Sequence, residues 1–121
     1  MSKHPIVPYT VSHWVHVING LSVLCIISSI LFIINVYPTL PDTIPIHFNS
    51  QGEADDWGHK AFVFLTPIFT IALFVPLYIV SKKPHIFNYP IEITENNASR
   101  IYPVARLFMT ILNFECALIF S

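Results

Sequence analysis

The chain has 121 residues, of which 54% are apolar and only 11% charged, with a net charge of −1. Soluble domains carry roughly 25% charged residues, and a soluble fold this small cannot hide so much apolar surface. The net charge itself says nothing about nucleic acid, but no basic patch of the kind that binds phosphates is present, so no nucleic-acid partner is expected and the expected class is an all-α membrane protein with the lipid bilayer as its surroundings.

The first apolar stretch is uncharged from His4 to Pro41. A cleaved signal peptide has a shorter apolar core and an A-x-A-like site, so this stretch reads as an uncleaved span over about 15–36. Trp14 and Tyr37 sit near its two ends, as interfacial aromatics do. His13 and His16 share a helix face, a spacing open to a metal but more common for interfacial histidines.

The loop over 37–60 is rich in turn chemistry. Pro38, Pro41 and Pro45 restrict the backbone, Thr43–Phe48 alternates like a strand, and Asn49-Ser-Gln-Gly52 reads as a turn. A folded cap over the membrane surface is expected, not a tether. Its polar groups are His47, Asn49, Glu53, Asp55, Asp56, His59 and Lys60. His47 with Asp55 or Asp56 and His59 would suit a divalent metal such as zinc, but no strong metal motif is present. Ligand recognition by His47, Phe48, Asn49, Gly52, Asp55, Trp57 and Lys60, with no cofactor, is the favoured reading, and a solvated surface of turn caps the bland one.

A second span is predicted over 61–80, with Pro67 and Pro76 expected to kink it. The 81–100 loop follows, with Lys82, Lys83 and Arg100; the two lysines suit topology or anionic lipid. Asn97-Ala98-Ser99 matches a glycosylation sequon, of little weight in a cytoplasmic loop. Thr94 is the expected N-cap of a third helix, with Arg106 snorkelling to the headgroups and a span over about 101–121. Only Leu107–Phe120 of it is strongly apolar, so this span is short or the chain truncated, with truncation favoured. Glu115, inside that run, is expected neutral or paired with Asn19, Ser28 or Asn35 on the first helix, unless it sits near the interface. Cys25 and Cys116 fall in apolar stretches and read as buried, inert thiols.

Lys and Arg counts put the N-terminus and the 81–100 loop in the cytoplasm and the 37–60 loop outside. Lys3 contributes to that count. The whole of 1–121 reads as a single membrane domain.

The run Tyr-Pro-x-Leu-Pro-x-x-Ile-Pro-x-His-Phe-Asn-x-x-Gly-x-x-Asp-x-Trp-Gly-x-Lys, from Tyr37 to Lys60, resembles the signature of a bacterial membrane domain of unknown function. That domain forms the N-terminal part of SdpI-type immunity proteins. Lys83-Pro-His-Ile-Phe-Asn-Tyr-Pro90 and Thr94-Glu-Asn-Asn-Ala98 resemble the same family's second loop. The resemblance implies a multi-pass protein of the bacterial inner membrane, with further helices beyond this domain. It maps functional positions onto Leu40, Pro41, Ile44, Pro45, His47, Gly52, Asp55, Trp57 and Lys60, while His59 departs from the family pattern. The implied function is immunity against, or sensing of, a secreted peptide toxin bound by the external loop without catalysis. A metal-dependent membrane enzyme or factor using His47 and Asp55 is the alternative. A structural subunit, self-associating or joined to a second membrane polypeptide, is the third reading.

Overall fold

The structure, a computed structural model, describes residues 4–120. Lys3, used above for orientation, and Ser121, the expected end of the third span, lie outside the described residues.

Helix α1 covers His13–Val36. Ser12 starts it in extended conformation, its Oγ accepting from Trp14 N at 3.2 Å. The helix stops where Pro38 enters a 3-10 turn, Tyr37–Thr39, and Thr39 Oγ1 donates to Val36 O at 2.6 Å. Helix α2 covers Leu65–Ser81 and is led in by a 3-10 turn over Lys60–Phe64. Pro67 falls in the first turn of α2, where its missing N–H has no ladder partner to lose, so it does not break the helix as expected. Pro76 alone lies in the interior, removing the bond that Ala72 O would accept.

Helix α3, Glu95–Phe120, begins directly after Thr94, as the expected N-cap implies, and Thr94 and Asn97 cap each other reciprocally. Thr94 N donates to Asn97 Oδ1 at 2.8 Å, and Asn97 N to Thr94 Oγ1 at 3.3 Å. Asn97 Nδ2 also donates to Glu92 O at 3.0 Å, so the apparent sequon is a helix cap.

Three helical stretches, His13–Thr39, Lys60–Ser81 and Glu95–Phe120, are long and apolar enough to cross a membrane. Their cores are not apolar in the manner of a soluble bundle. The buried stripe of α3 is Ala98, Tyr102, Arg106, Thr110, Asn113 and Ala117, and it packs on both α1 and α2, which touch each other less. Facing it are Val15, Ser22, Ile26 and Ile33 of α1 and Thr70, Phe74 and Ser81 of α2. In lipid, small and hydroxyl side chains bring backbones close, while large apolar ones gain nothing by turning inward. Leu31, Phe32, Ile68 and Phe69 accordingly face out. Buried hydroxyls are satisfied within their own helices, as in Ser22 to Ile18 O at 3.0 Å and Thr110 to Arg106 O at 2.8 Å. Side-chain bonds also link α2 to α3, Thr70 Oγ1 donating to Phe120 O at 2.9 Å and Asn113 Nδ2 to Phe74 O at 3.3 Å.

Residues 4–12 fold back over the 81–94 loop and the start of α3. His4 Nε2 donates to Phe87 O at 2.9 Å, and Tyr102 OH donates to Pro5 O at 2.6 Å. Tyr9, Tyr89 and Tyr102 form an aromatic cluster with ring centroids 5.9 and 6.2 Å apart. Arg106 does not snorkel outward as expected. It is 9% exposed beneath this segment, and its Nη1 donates to Tyr9 OH at 3.3 Å.

Burial, reinforced by the neighbouring Tyr102 and Tyr9, pushes the Tyr89 phenol from 10.0 up to about 12. A folded-state pKa raised above the unfolded one stabilises fully below pH 10, and this contribution disappears as pH rises through about 12. Tyrosinate absorbance and protease cleavage within residues 4–12 should therefore rise together across that window. In Tyr89→Phe, cleavage should show a smaller pH dependence.

Candidate functional site

The 37–60 loop corrects the all-α expectation, since it contains a two-stranded antiparallel sheet. Strand β1, Thr43–Phe48, pairs with β2, Ala54–His59, in the register Thr43↔His59, Ile44↔Gly58, Pro45↔Trp57, His47↔Asp56 and Phe48↔Ala54. Irregularities at Ile46 and Asp55 leave each strand one extra residue, which bends the ribbon.

Asn49 and Gly52, two of the residues expected to touch a ligand, build the turn between the strands. Asn49 Oδ1 accepts from Gln51 N at 2.9 Å and Glu53 N at 3.0 Å. Gly52 adopts φ +82°, a conformation that other residues enter at a cost. Lys60 is likewise turned inward. Its backbone N donates to Asp42 O at 2.8 Å, its Nζ to Tyr37 O at 3.3 Å, and the ammonium lies 4.4 Å from the Tyr37 ring centroid. Lys60 therefore clasps the hairpin to the end of α1.

Ile44, Ile46 and Gly58 share the face that meets Phe62 at the entry to α2. A Cβ on Gly58 would stand 2.7 Å from the Phe62 ring and 3.1 Å from Ile46 Cδ1. Gly58 thus permits the docking of hairpin on helix, a role the sequence reading did not assign. A groove of about 440 Å³ runs along this junction, lined by Ile44, Pro45, Ile46, Phe62, Val63 and Leu65.

The structure brings His47 and Asp55 together, with Nδ1 2.5 Å from Oδ1 and both side chains exposed. Phe48 and Trp57 are 55% and 56% exposed, large apolar surfaces held in fixed backbone. His59 does not join them. It lies opposite Thr43, and its Nδ1 accepts from Ala61 N at 3.1 Å to cap the 3-10 turn. Among the described residues no three His, Cys, Asp or Glu side chains converge as a metal would require. His13 and His16 are both exposed, and the free Cys25 and Cys116 are half-buried.

Both hairpin edges resist further strand pairing. On β1, Pro45 has no N–H to offer, and on β2 the Trp57 N–H is taken by Asp56 Oδ1 at 2.9 Å. What the hairpin presents is side chains.

Glu115 needs correction too. It is exposed on the outward side of α3, not paired inside the bundle; the buried polar residue of that region is Asn113.

Residues 23–71 match the family model of DUF1648, a domain of unknown function. The matched segment takes in most of α1, the whole hairpin and the first turns of α2, which are the parts that build and hold the site. No curated protein and no solved structure matches the chain.

Proposed function

We propose that this chain is a membrane-embedded recognition protein of the SdpI-type immunity or sensing class, whose hairpin binds a membrane-active peptide at the outer face of a bacterial inner membrane. One observation carries the reading: a hairpin anchored by Lys60 and Gly58, with both edges blocked, presents Phe48 and Trp57 together with the His47–Asp55 pair. Exposed aromatics held rigidly supply contact area at little entropic cost, and a polar pair fixes orientation. Such a surface binds without reaction, and membrane helices keep it where a toxin would act. The match to DUF1648 supports the membrane domain, while the Tyr37–Lys60 signature supports the SdpI-type assignment.

The orientation rests on Lys82, Lys83 and Arg100 in the 81–100 loop against Lys60 alone in 37–60. With Cys25→Ser and Cys116→Ser as background, a cysteine at Ser50 should react with an impermeant maleimide on intact cells, and one at Asn88 should not. The reverse pattern would invert the protein and remove the proposed site from the toxin's side.

The function is tested by challenging cells with a panel of secreted membrane-active peptides. The chain should raise survival against at least one, and His47→Ala, Asp55→Ala and Trp57→Ala at equal protein level should abolish the gain. Stoichiometric zinc on the purified protein, lost in the first two variants and kept in the third, would favour the metal-dependent reading instead. Full protection by all three variants would leave the hairpin a structural cap.

A further inference from the structure

The charge of the hairpin narrows the kind of peptide it takes: we infer that the recognised peptide is cationic, its Lys or Arg side chains meeting the carboxylates of the hairpin beside the Trp57 ring. The inference deepens the proposed function and rests on it. From Asp42 to His59 the chain carries Asp42, Glu53, Asp55 and Asp56 and no Lys or Arg. Glu53, Asp55 and Asp56 are all exposed. The nearest cation, Lys60, is withdrawn to the base of the hairpin, its Nζ on Tyr37 O and its ammonium over the Tyr37 ring. Of the three exposed carboxylates, Asp55 alone has an ion-pair partner among the described residues, and that partner is the imidazole of His47.

The carboxylates are held, each through one oxygen. Asp55 Oδ1 meets His47 Nδ1, Asp56 Oδ1 accepts from Trp57 N, and Glu53 Oε1 accepts from Asn49 Nδ2 at 3.4 Å. The second oxygen of each has no partner among the described residues. A carboxylate only accepts, so Nδ1 of His47 carries the proton, and Nε2 of the neutral ring is a further acceptor. The ionisable groups of this surface therefore offer lone pairs, which a Lys ammonium or Arg guanidinium, purely a donor, complements.

The aromatics fit the same ligand. Trp57 is 56% exposed next to Asp56, and the face of an indole attracts cations. Phe48, 55% exposed, gives the apolar side chains of the peptide a place to lie. Because the carboxylates are solvated, each contact contributes modestly, and their combined field acts mainly on the rate of encounter.

The test uses the full chain in phosphatidylcholine nanodiscs, whose lipid has no net charge. The probes are three dye-labelled amphipathic peptides with an apolar face of leucine and a polar face of lysine, glutamine or glutamate. Binding above that of empty discs should be tightest for the lysine peptide and weakest for the glutamate peptide. Added salt should weaken the lysine peptide and leave the glutamine peptide nearly unchanged. Glu53→Gln combined with Asp55→Asn and Asp56→Asn keeps every acceptor named above and removes the charge. This variant should bind the lysine peptide about tenfold more weakly, mainly through slower association. Its undiminished binding of the glutamine peptide would show that the hairpin is intact. If the glutamine peptide binds as tightly as the lysine peptide and Trp57→Ala weakens both, recognition by the hairpin stands and the cationic requirement is overturned. Salt-insensitive binding of the lysine peptide to the unsubstituted chain would overturn that requirement too, whatever the variant does. If no peptide binds above empty discs, or Trp57→Ala changes nothing, recognition itself fails and this inference falls with it.

Discussion

Tyr102→Ala should cost about 3–5 kcal/mol of stability, the range for deleting a buried aromatic side chain. Tyr102 is 1% exposed and joins three parts of the chain. Its ring packs with Ile93 and Ala98 and meets Tyr9 and Tyr89, while its hydroxyl holds Pro5 O at 2.6 Å. Truncation would leave a cavity at the end of the bundle where the N-terminal segment docks and release residues 4–12, which have no secondary structure of their own. Arg106 would then lose its cover, because its neighbour Tyr9 leaves with that segment. Tyr102→Phe keeps the ring and loses one hydrogen bond, so it should cost only about 1 kcal/mol. Unfolding in mixed detergent micelles with increasing dodecyl sulfate should rank wild type, Tyr102→Phe and Tyr102→Ala in that order. Equal midpoints for all three would show that the N-terminal segment does not dock.

Trp57→Ala should weaken binding of a recognised peptide by about 30-fold or more, the loss expected of a central aromatic anchor. Trp57 stands opposite Pro45, so a rigid imide backs the indole across the ribbon. Asp55→Ala should weaken binding through a different route. Without its carboxylate, His47 loses the partner of its Nδ1, and the imidazole is no longer held in one orientation. Gly58→Val leaves every contacting side chain in place but forces the Phe62 ring away, so it should reduce binding by tilting the hairpin off α2. Separating these variants distinguishes residues that touch the ligand from one that aims the surface.

The spans were legible because uncharged runs of helix-spanning length have few other physical solutions. Strand β1 and its turn were legible from the alternation of Thr43–Phe48 and from Asn49 and Gly52. Strand β2 was not, because Ala-Asp-Asp-Trp-Gly-His has poor strand propensity and is extended only by pairing with β1 and by Asp56 taking the Trp57 N–H. Residue type alone also did not show the structural roles of Asn49, Gly52 and Lys60, which build the turn and clasp the hairpin to α1.

Glu115 was placed on the wrong side of its helix for a related reason. An apolar context says that a residue is in lipid, but not its phase around the axis. The signal was the stripe Ala98, Tyr102, Arg106, Thr110, Asn113 and Ala117, spaced by three and four, which marks the packed face of a membrane helix through its small and polar members. Glu115 falls outside that spacing. The docking of residues 4–12 had no periodic signal, since proline-rich extended chain is recognised only by what it lies against.

Recognition of a peptide by the hairpin should be visible in the emission of Trp57 itself. In Trp14→Phe protein reconstituted in vesicles, Trp57 is the remaining tryptophan and reports from the proposed contact. Titration with a membrane-active peptide against which the chain protects cells should shift its emission saturably, and Asp55→Ala should move the midpoint to higher concentration. An emission spectrum that stays unchanged at peptide concentrations giving full protection would contradict recognition by this surface.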